Sequence, residues 1–422
     1  MLAQQMYVRR VHITNVRSIA ELTWELPADA DGAGWHVILG DNGAGKSSFL
    51  RSIALALVGP DEAAGLRQSW AGWIRLGQVQ AEIEVAIAPP LGNLAGSPVT
   101  LRLDREENTI ESLGARGRWL RNVWNPTAVG GWFCASYGPF RRFSGGDQES
   151  EKLFQSKPNL ARHLSLFGES VALTEPLSWL QALKFKALEG LAEGALLGPI
   201  IAFVNQPGFL PHDVRLQDVT SSGVVFADAN GFAVPVQDMS DGYRSILSMT
   251  FELVRQMAFT FGPERLFSGD GTTIAQPGVV IIDEVDAHLH PTWQRTIGVW
   301  FRKHFPRVQF IVSTHSPLIC QAAEVGTVFR LPRPGADPAD DRGEMIEGLA
   351  RKRLLYGNVL DAYGTGVFGD GVTRSDSAQA KLERLAELNT QELVGSLSDD
   401  ERQAQADLRA MLPTDASAIQ AP

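Results

Sequence analysis

The stretch Gly40-Asp41-Asn42-Gly43-Ala44-Gly45-Lys46-Ser47-Ser48 constrains this chain more than any other. Gly40 to Ser47 fit Gly-x4-Gly-Lys-Ser, the pattern of a loop that wraps a phosphate. Such a loop needs a strand before it and a helix after it. His36-Val-Ile-Leu39 is a short apolar run that reads as a buried parallel strand. From Ser47 to Leu57 the apolar residues fall at helical spacing. The glycines let the main chain curl until several N–H groups face one anion, and the new helix adds its positive end. Lys46 would then reach the β- and γ-phosphates of a nucleotide, and Ser47 would ligate Mg2+. A glycine-rich turn that merely precedes a lysine would need neither flank. An α/β fold follows from this stretch.

Two further apolar runs end in chemistry. Gly278-Val-Val-Ile-Ile-Asp-Glu284 reads as a buried strand whose carboxylates emerge at its C-terminal end, beside the phosphate loop. Phe310-Ile-Val-Ser-Thr-His-Ser-Pro317 is another, with His315 at the strand end. There a histidine either meets a γ-phosphate or caps the turn. Gln237-Asp-Met-Ser-Asp-Gly-Tyr-Arg-Ser245 precedes a helical run to Phe261. Ser240 and the N–H of Gly242 stand at the start of that helix, where free N–H groups and the dipole favour an anion. An ordinary serine N-cap with Asp241 in the first turn is the alternative. His288 and His290 suggest a metal pair, but no third ligand is spaced nearby.

Around these runs the chain reads as follows. Tyr7–Ile19 alternates like a strand and then turns, and Ala20–Leu26 is its partner. Asn15 and Arg17 in that turn either approach the nucleotide or serve the turn itself. Val79–Ile87 and Val99–Leu103 would complete an antiparallel layer. Gly131–Tyr137 is an apolar strand that runs into Gly138-Pro-Phe-Arg-Arg-Phe143. Arg141 and Arg142 there face either phosphate or solvent. Arg116, Arg118 and Arg121 lie among Trp119 and Trp124, as in nucleic-acid surfaces and also in solvated, partly packed loops. Leu160–Leu197 is helical in pattern, with Leu164, Leu166, Phe167, Leu173, Leu177, Trp179, Leu180 and Leu183 as core, and Ile200–Val204 continues it. It shows no sustained heptads, so no long coiled-coil arm is inserted. Val214–Val219, Gly223–Ala227 and Phe232–Val236 are short strands, with a hairpin turn at Asn230-Gly231. Ser377–Leu412 reads as two helices that turn near Gly395–Ser398, the second opened by a capping box. Leu382, Leu385 and Leu388 line one; Ala404, Leu408 and Met411 line the other.

Composition removes several function classes. The 422 residues are 44% apolar and 20% charged, as in globular proteins. The 48 acidic against 38 basic residues give −10. That argues against a chain coated with positive charge for nucleic acid, while leaving room for a local basic groove. Cys134 and Cys320 sit in apolar runs and read as buried thiols of a reducing compartment. No apolar run approaches bilayer length, and Met1–Val8 does not read as a signal peptide, so a cytoplasmic protein without membrane contact is expected.

The set of motifs resembles an ABC-class P-loop ATPase of the SMC, RecF and OLD branch, over residues 7 to about 330. Gly40–Ser48 matches its Walker A and Gly278–Glu284 its Walker B. Met239-Ser-Asp-Gly-Tyr243 is similar to its signature, Val285-Asp-Ala287 to its D-loop and His315 to its switch histidine. The resemblance implies an ATPase head at 1–137 and 208–335, an inserted helical lobe at 138–207 and a C-terminal extension at 336–422. It implies ATP and Mg2+, with Asp283 holding Mg2+ through water and Glu284 polarising the attacking water. It also implies a second copy of the chain, whose Ser240 loop would meet the γ-phosphate. One departure stands out: the family places a Mg2+-binding Gln after the strand that ends at Tyr137, and no Gln is there. The chain past Arg330 offers no Glu and Asp-x-Asp set, so a Toprim nuclease of the OLD kind is not expected.

Ala135–Phe143, Leu164–Phe167 with Trp179-Leu180, Met239–Ser245, and Val359–Thr365 with Arg374-Ser375 look similar to stand-alone ATPases of bacterial anti-phage systems, the Septu and retron groups. In that group the ATPase partners a separate HNH nuclease. A DNA-repair ATPase that binds DNA or RNA directly is the second reading. A transporter subunit is the third, opposed by the long strand pair and large lobe between the Walker motifs.

Overall fold

Two patterns of strand burial divide the first part of the molecule into two layers. The computed structural model describes residues 6–66, 68–88, 98–114, 124, 132–143, 157–168, 173–269, 271–363, 365, 367–368, 375–395 and 397–412. It falls into two compact units, Met1–Val359 and Leu360–Pro422. In the first unit, β1 (Tyr7–Val16) and β2 (Ile19–Glu25) form the antiparallel pair expected from the sequence. β3 (Gly34–Leu39) is buried at every position and leads through the phosphate loop into α1 (Lys46–Val58). β4 (Gln80–Ala88), β5 (Val99–Asp104) and β6 (Thr109–Leu113) extend the antiparallel layer in the order β2-β1-β4-β5-β6. In β5 buried and half-buried positions alternate, as a sheet with one covered face requires.

β7 (Cys134–Tyr137) belongs to the other sheet. The lobe that follows holds α2 (Glu175–Leu188) and α3 (Leu197–Val204). A small antiparallel sheet comes next, made of β8 (Arg215–Thr220), β9 (Gly223–Ala227) and β10 (Ala233–Pro235). α4 (Asp241–Phe261) then runs to β11 (Gly278–Ile282), followed by α5 (Pro291–His304), β12 (Val308–Ser313) and β13 (Gly326–Arg330). β14 (Glu344–Met345) and α6 (Gly348–Tyr356) end this unit. The second sheet has the order β14-β13-β3-β12-β11-β7, parallel throughout except for β14. β3, β11 and β12 are buried at every residue, because layers cover both faces of a parallel sheet.

One apolar core joins α1 to both sheets, through Val11, Ile13, Ile83 and Leu101 of the antiparallel layer and Ile38, Ile281 and Ile311 of the parallel one. This explains why every residue from Phe49 to Val58 except the half-buried Arg51 is buried. Gln309 of β12 bridges the layers. Its amide donates to the Val8 carbonyl at 2.9 Å and accepts from the Val8 N–H at 2.8 Å, beside the bulge between Val8 and Arg10. The far face of the parallel sheet packs aromatic rings, with Phe310 at 5.3 Å from Trp35 and 5.6 Å from Phe301.

The lobe, helical in pattern over Leu160–Leu197, is divided into separate helices. Short helices at Pro158–Ala161 and Leu164–Phe167 precede α2, and α2 meets the helical segment after it at 118°. The break at the end of α2 is a Schellman motif. Gly190 stands at φ 72, its N–H donates to Ala187, and the Leu191 N–H donates to Lys186.

The second unit holds α7 (Asp376–Leu393) and α8 (Asp399–Met411), with the Ser398–Glu401 capping box in place. Leu385 and Leu388 are buried as expected. On α8 the buried residue is Gln405, where Ala404 and Met411 were expected to pack. Its amide donates to Asn389 and Glu392 of α7, so the seam between the helices is polar.

Candidate nucleotide site

Where the phosphate loop enters α1, it leaves main-chain donors free, while the Ala44 N–H closes the loop on the Asp41 carbonyl at 3.1 Å. Gly45 caps α1 at φ 98, a region costly for residues with a Cβ, and it supplies no side-chain cap. No acidic residue occupies the first turn. The first N–H groups of α1 therefore have neither an intrahelical partner nor a capping oxygen, the condition for binding an anion. The turn between β1 and β2 presses on this loop: a Cβ on Gly45 would stand 2.9 Å from the Ser18 hydroxyl. Arg17 in that turn stacks its guanidinium over Trp73 at 4.5 Å. Lys46 folds back on the loop and donates to the carbonyls of Gly40 at 2.8 Å and Asp41 at 3.1 Å. Burial lowers the pKa of its ammonium, and Asp283, Glu284, Asp41 and Asp286 oppose that shift. Those four carboxylates thus share the field of one cation.

Opposite stands an acidic wall. Asp283 follows β11 and is buried; its Oδ1 accepts from the Ser313 hydroxyl at the end of β12. Its Oδ2 is buried without a hydrogen-bond partner. A carboxylate oxygen left so is costly unless something positive meets it. An oxygen of this kind suits a hard cation such as Mg2+, which takes oxygen ligands, and the Ser47 hydroxyl would be the second such ligand. Glu284 is held at φ 47, in the left-handed region, and its N–H donates to Ser313 Oγ at 2.8 Å. His315, two residues past β12, is exposed. Burial of its ring and the charge of Lys46 lower its pKa, and Asp286, Glu284 and Asp41 oppose them. His290 is the N-cap of α5 and accepts from the Thr292 N–H, which gives it a structural role.

The third wall comes from the segment after β7 and the start of α4. Arg141 faces neither phosphate nor solvent. It is 4% exposed and donates to Ser245 Oγ and to the carbonyls of Gly138, Asp283 and Glu284. Desolvation lowers its pKa to about 10, against the pull of Asp283, Asp286 and Glu284, so it remains a cation at neutral pH. Ser240 is the N-cap residue of α4, yet its side chain makes no capping bond and is exposed. Gly242 is buried against the loop after Glu284, where a Cβ would come within 2.6 Å of the His288 carbonyl. Only glycine fits that approach.

The fold brings Lys46, Asp283, Glu284 and His315 into one electrostatic cluster. The sequence left Arg141 between two wrong alternatives and gave Ser313 and Ser245 no role. A serine closing the apolar run Phe310-Ile-Val312, as Ser313 does, was the available signal. Arg116, Arg118, Arg121 and Trp119 lie outside the described residues.

Two family descriptions match: "AAA domain" over residues 10–127, and "AAA domain, putative AbiEii toxin, Type IV TA system" over residues 161–321. The Septu protein PtuA of Bacillus mycoides is 26% identical over 85% of this chain and 46% of its own length. The retron Ec83 probable ATPase of Escherichia coli is 34% identical over 30% of this chain and 21% of its own. The chain therefore spans about half or less of the curated relatives it matches. Among solved structures, an SMC head bound to the C-terminal winged-helix domain of ScpA overlays with a TM-score of 0.48 at 14% identity, covering 82% of this chain and 99% of that one. The chain is thus similar over most of its length to the Septu protein PtuA and over a shorter stretch to a retron-associated ATPase, and AAA-domain descriptions match two parts of it.

Proposed function

We propose that the chain binds ATP with Mg2+, hydrolyses it, and uses the cycle to close and open a dimer that regulates a partner nuclease in bacterial defence against phage. In this reading Gly40 to Ser48 hold the phosphates, and Ser47 and Asp283 hold Mg2+, which neutralises phosphate charge when bound. Glu284 orients the attacking water and His315 reads the γ-phosphate. Ser240 and the Gly242 N–H meet the nucleotide of the second copy. The observation that carries the reading is the start of α4, where a serine hydroxyl at the N-terminus of a 21-residue helix stays exposed and caps nothing. A helix start kept open in this way suits a ligand delivered from outside the chain. The similarity to PtuA and the retron ATPases supports the defence setting.

The test is a sizing column run with ATP and Mg2+. Glu284→Gln keeps its shape but loses the carboxylate, so it should retain ATP and elute as a dimer. A Glu284→Gln protein that stays monomeric under those conditions would sink the dimer switch. Co-purification with an HNH nuclease encoded beside the gene addresses the partner, and a permease there points to transport. Direct DNA binding has less support, since Arg141, one of the arginines it would use, is interior.

A further inference from the structure

Arg141 occupies the region where the family resemblance calls for a glutamine, and its contacts assign it a different task. Its Nε–H donates to Ser245 Oγ at 3.0 Å. Nη1 donates to the carbonyls of Gly138 at 3.0 Å and Asp283 at 2.9 Å. Nη2 donates to the carbonyl of Glu284 at 3.0 Å. One planar fork thus spans the loop after β7, the first turns of α4 and the main chain that follows β11. A lysine has no such fork and cannot satisfy acceptors spread over three segments.

The consequence falls on Glu284. A non-glycine residue at positive φ costs about 1 kcal/mol or more, and it persists only where its surroundings hold it. Here both polar groups of the residue are held, the N–H by Ser313 Oγ and the carbonyl by Arg141. If φ relaxes, both bonds break and the Cα–Cβ direction turns, carrying the carboxylate away from its place. The same guanidinium grips Ser245, four residues into the helix that Ser240 opens. The geometry points to Arg141 as a positioning residue for hydrolysis, which locks the Asp283–Glu284 main chain in its turn and ties that turn to the helix carrying Ser240. This rests on the proposed function, since it supposes that Glu284 works on water.

The test compares wild type, Arg141→Lys, Arg141→Gln, Ser245→Ala and Glu284→Gln in steady-state ATP turnover. Binding of a fluorescent ATP analogue with Mg2+ normalises each to folded sites. Both Arg141 variants should lower kcat about 10- to 100-fold, the scale on which misplaced catalytic groups act, with KM and analogue affinity within about threefold. Ser245→Ala, which removes one acceptor and leaves little space, should lower kcat about 3- to 10-fold, again without moving KM. A kcat for Arg141→Lys within twofold of wild type would overturn the inference, and so would a loss of affinity that matches the loss of kcat. Should the Arg141 variants not fold, unchanged turnover in Ser245→Ala overturns it alone. Absent wild-type turnover, or turnover that Glu284→Gln leaves untouched, would overturn the proposed function and take this inference with it.

Discussion

The phosphate loop and the acidic wall hold the same site in opposite ways. The loop is main chain: glycine curvature, free N–H groups and one lysine that folds back on its own carbonyls. The wall is side chains from four distant segments, Asp283 and Glu284 after β11, Ser313 on β12, Arg141 after β7 and Ser245 on α4. The loop needs no distant partner to define its shape. The wall has no shape until the fold assembles it. A change in the loop should therefore remove binding, and a change in the wall should remove chemistry while binding persists.

The largest effect tests the first half of that contrast. Lys46→Ala deletes the cation of the phosphate loop, on which Asp283, Glu284, Asp41 and Asp286 act, and leaves those carboxylates to repel the phosphates. Titration with a fluorescent ATP analogue should show affinity lower by about 100-fold or more, since a charge-assisted contact to phosphate is lost and a repulsive field remains. Affinity within threefold of wild type would mean that the main-chain N–H groups bind alone.

The same contrast explains what could be read from the sequence. Gly40 to Ser48 is contiguous, so the spacing alone specified strand, loop and helix. Gly278–Glu284 was legible because four apolar residues before two acids admit few readings. Arg141 was not legible, because three of its four acceptors are main-chain carbonyls, which carry no residue identity. In the lobe the apolar period ran on through Leu188-Glu-Gly-Leu191, and only the positive φ of Gly190 shows that the helix stops there. On α8 the period pointed to Ala404, Leu408 and Met411. Partners for a buried Gln405 exist only once Asn389 and Glu392 face it. Hydrophobic periodicity registers apolar burial and is blind to polar groups buried by mutual satisfaction.

The second effect tests the wall. The Ser313 hydroxyl donates to Asp283 and accepts from the Glu284 N–H, so Ser313→Ala orphans a buried carboxylate oxygen and an N–H together. Stability should fall by about 2 kcal/mol, the range for unsatisfied buried groups, and kcat by about 10-fold with KM unchanged. Thermal unfolding and steady-state turnover check the two parts. Should analogue affinity fall in step with kcat, the wall would belong to binding and the contrast would fail.

The smallest effect probes where the contrast blurs, because β3, the strand that feeds the loop, is itself anchored by a buried side chain. His36 is 1% exposed; its Nε2 pairs with the Gly32 carbonyl at 2.9 Å and its Nδ1 with Thr327 Oγ1 of β13 at 3.0 Å. Since a carbonyl only accepts, the neutral ring carries its proton on Nε2 and accepts from Thr327. Burial pushes its pKa from 6.5 down to about 4, with the Gly32 bond opposing and Arg9 assisting. The neutral ring is the folded form, while an unfolded chain takes up the proton first. The stability this group contributes is therefore full above pH 6.5 and is lost as pH falls toward 4. His163, also buried and with its pKa pushed down to about 3, acts in the same direction and is common to both proteins compared. Between pH 7 and 4.5, His36→Gln should lose about 2 kcal/mol less stability than wild type, because one proton uptake linked to unfolding is gone. Denaturant unfolding at the two pH values measures this. Equal losses would mean that His36 titrates alike in both states and does not anchor β3. In that case the loop would be as self-sufficient as its sequence suggests.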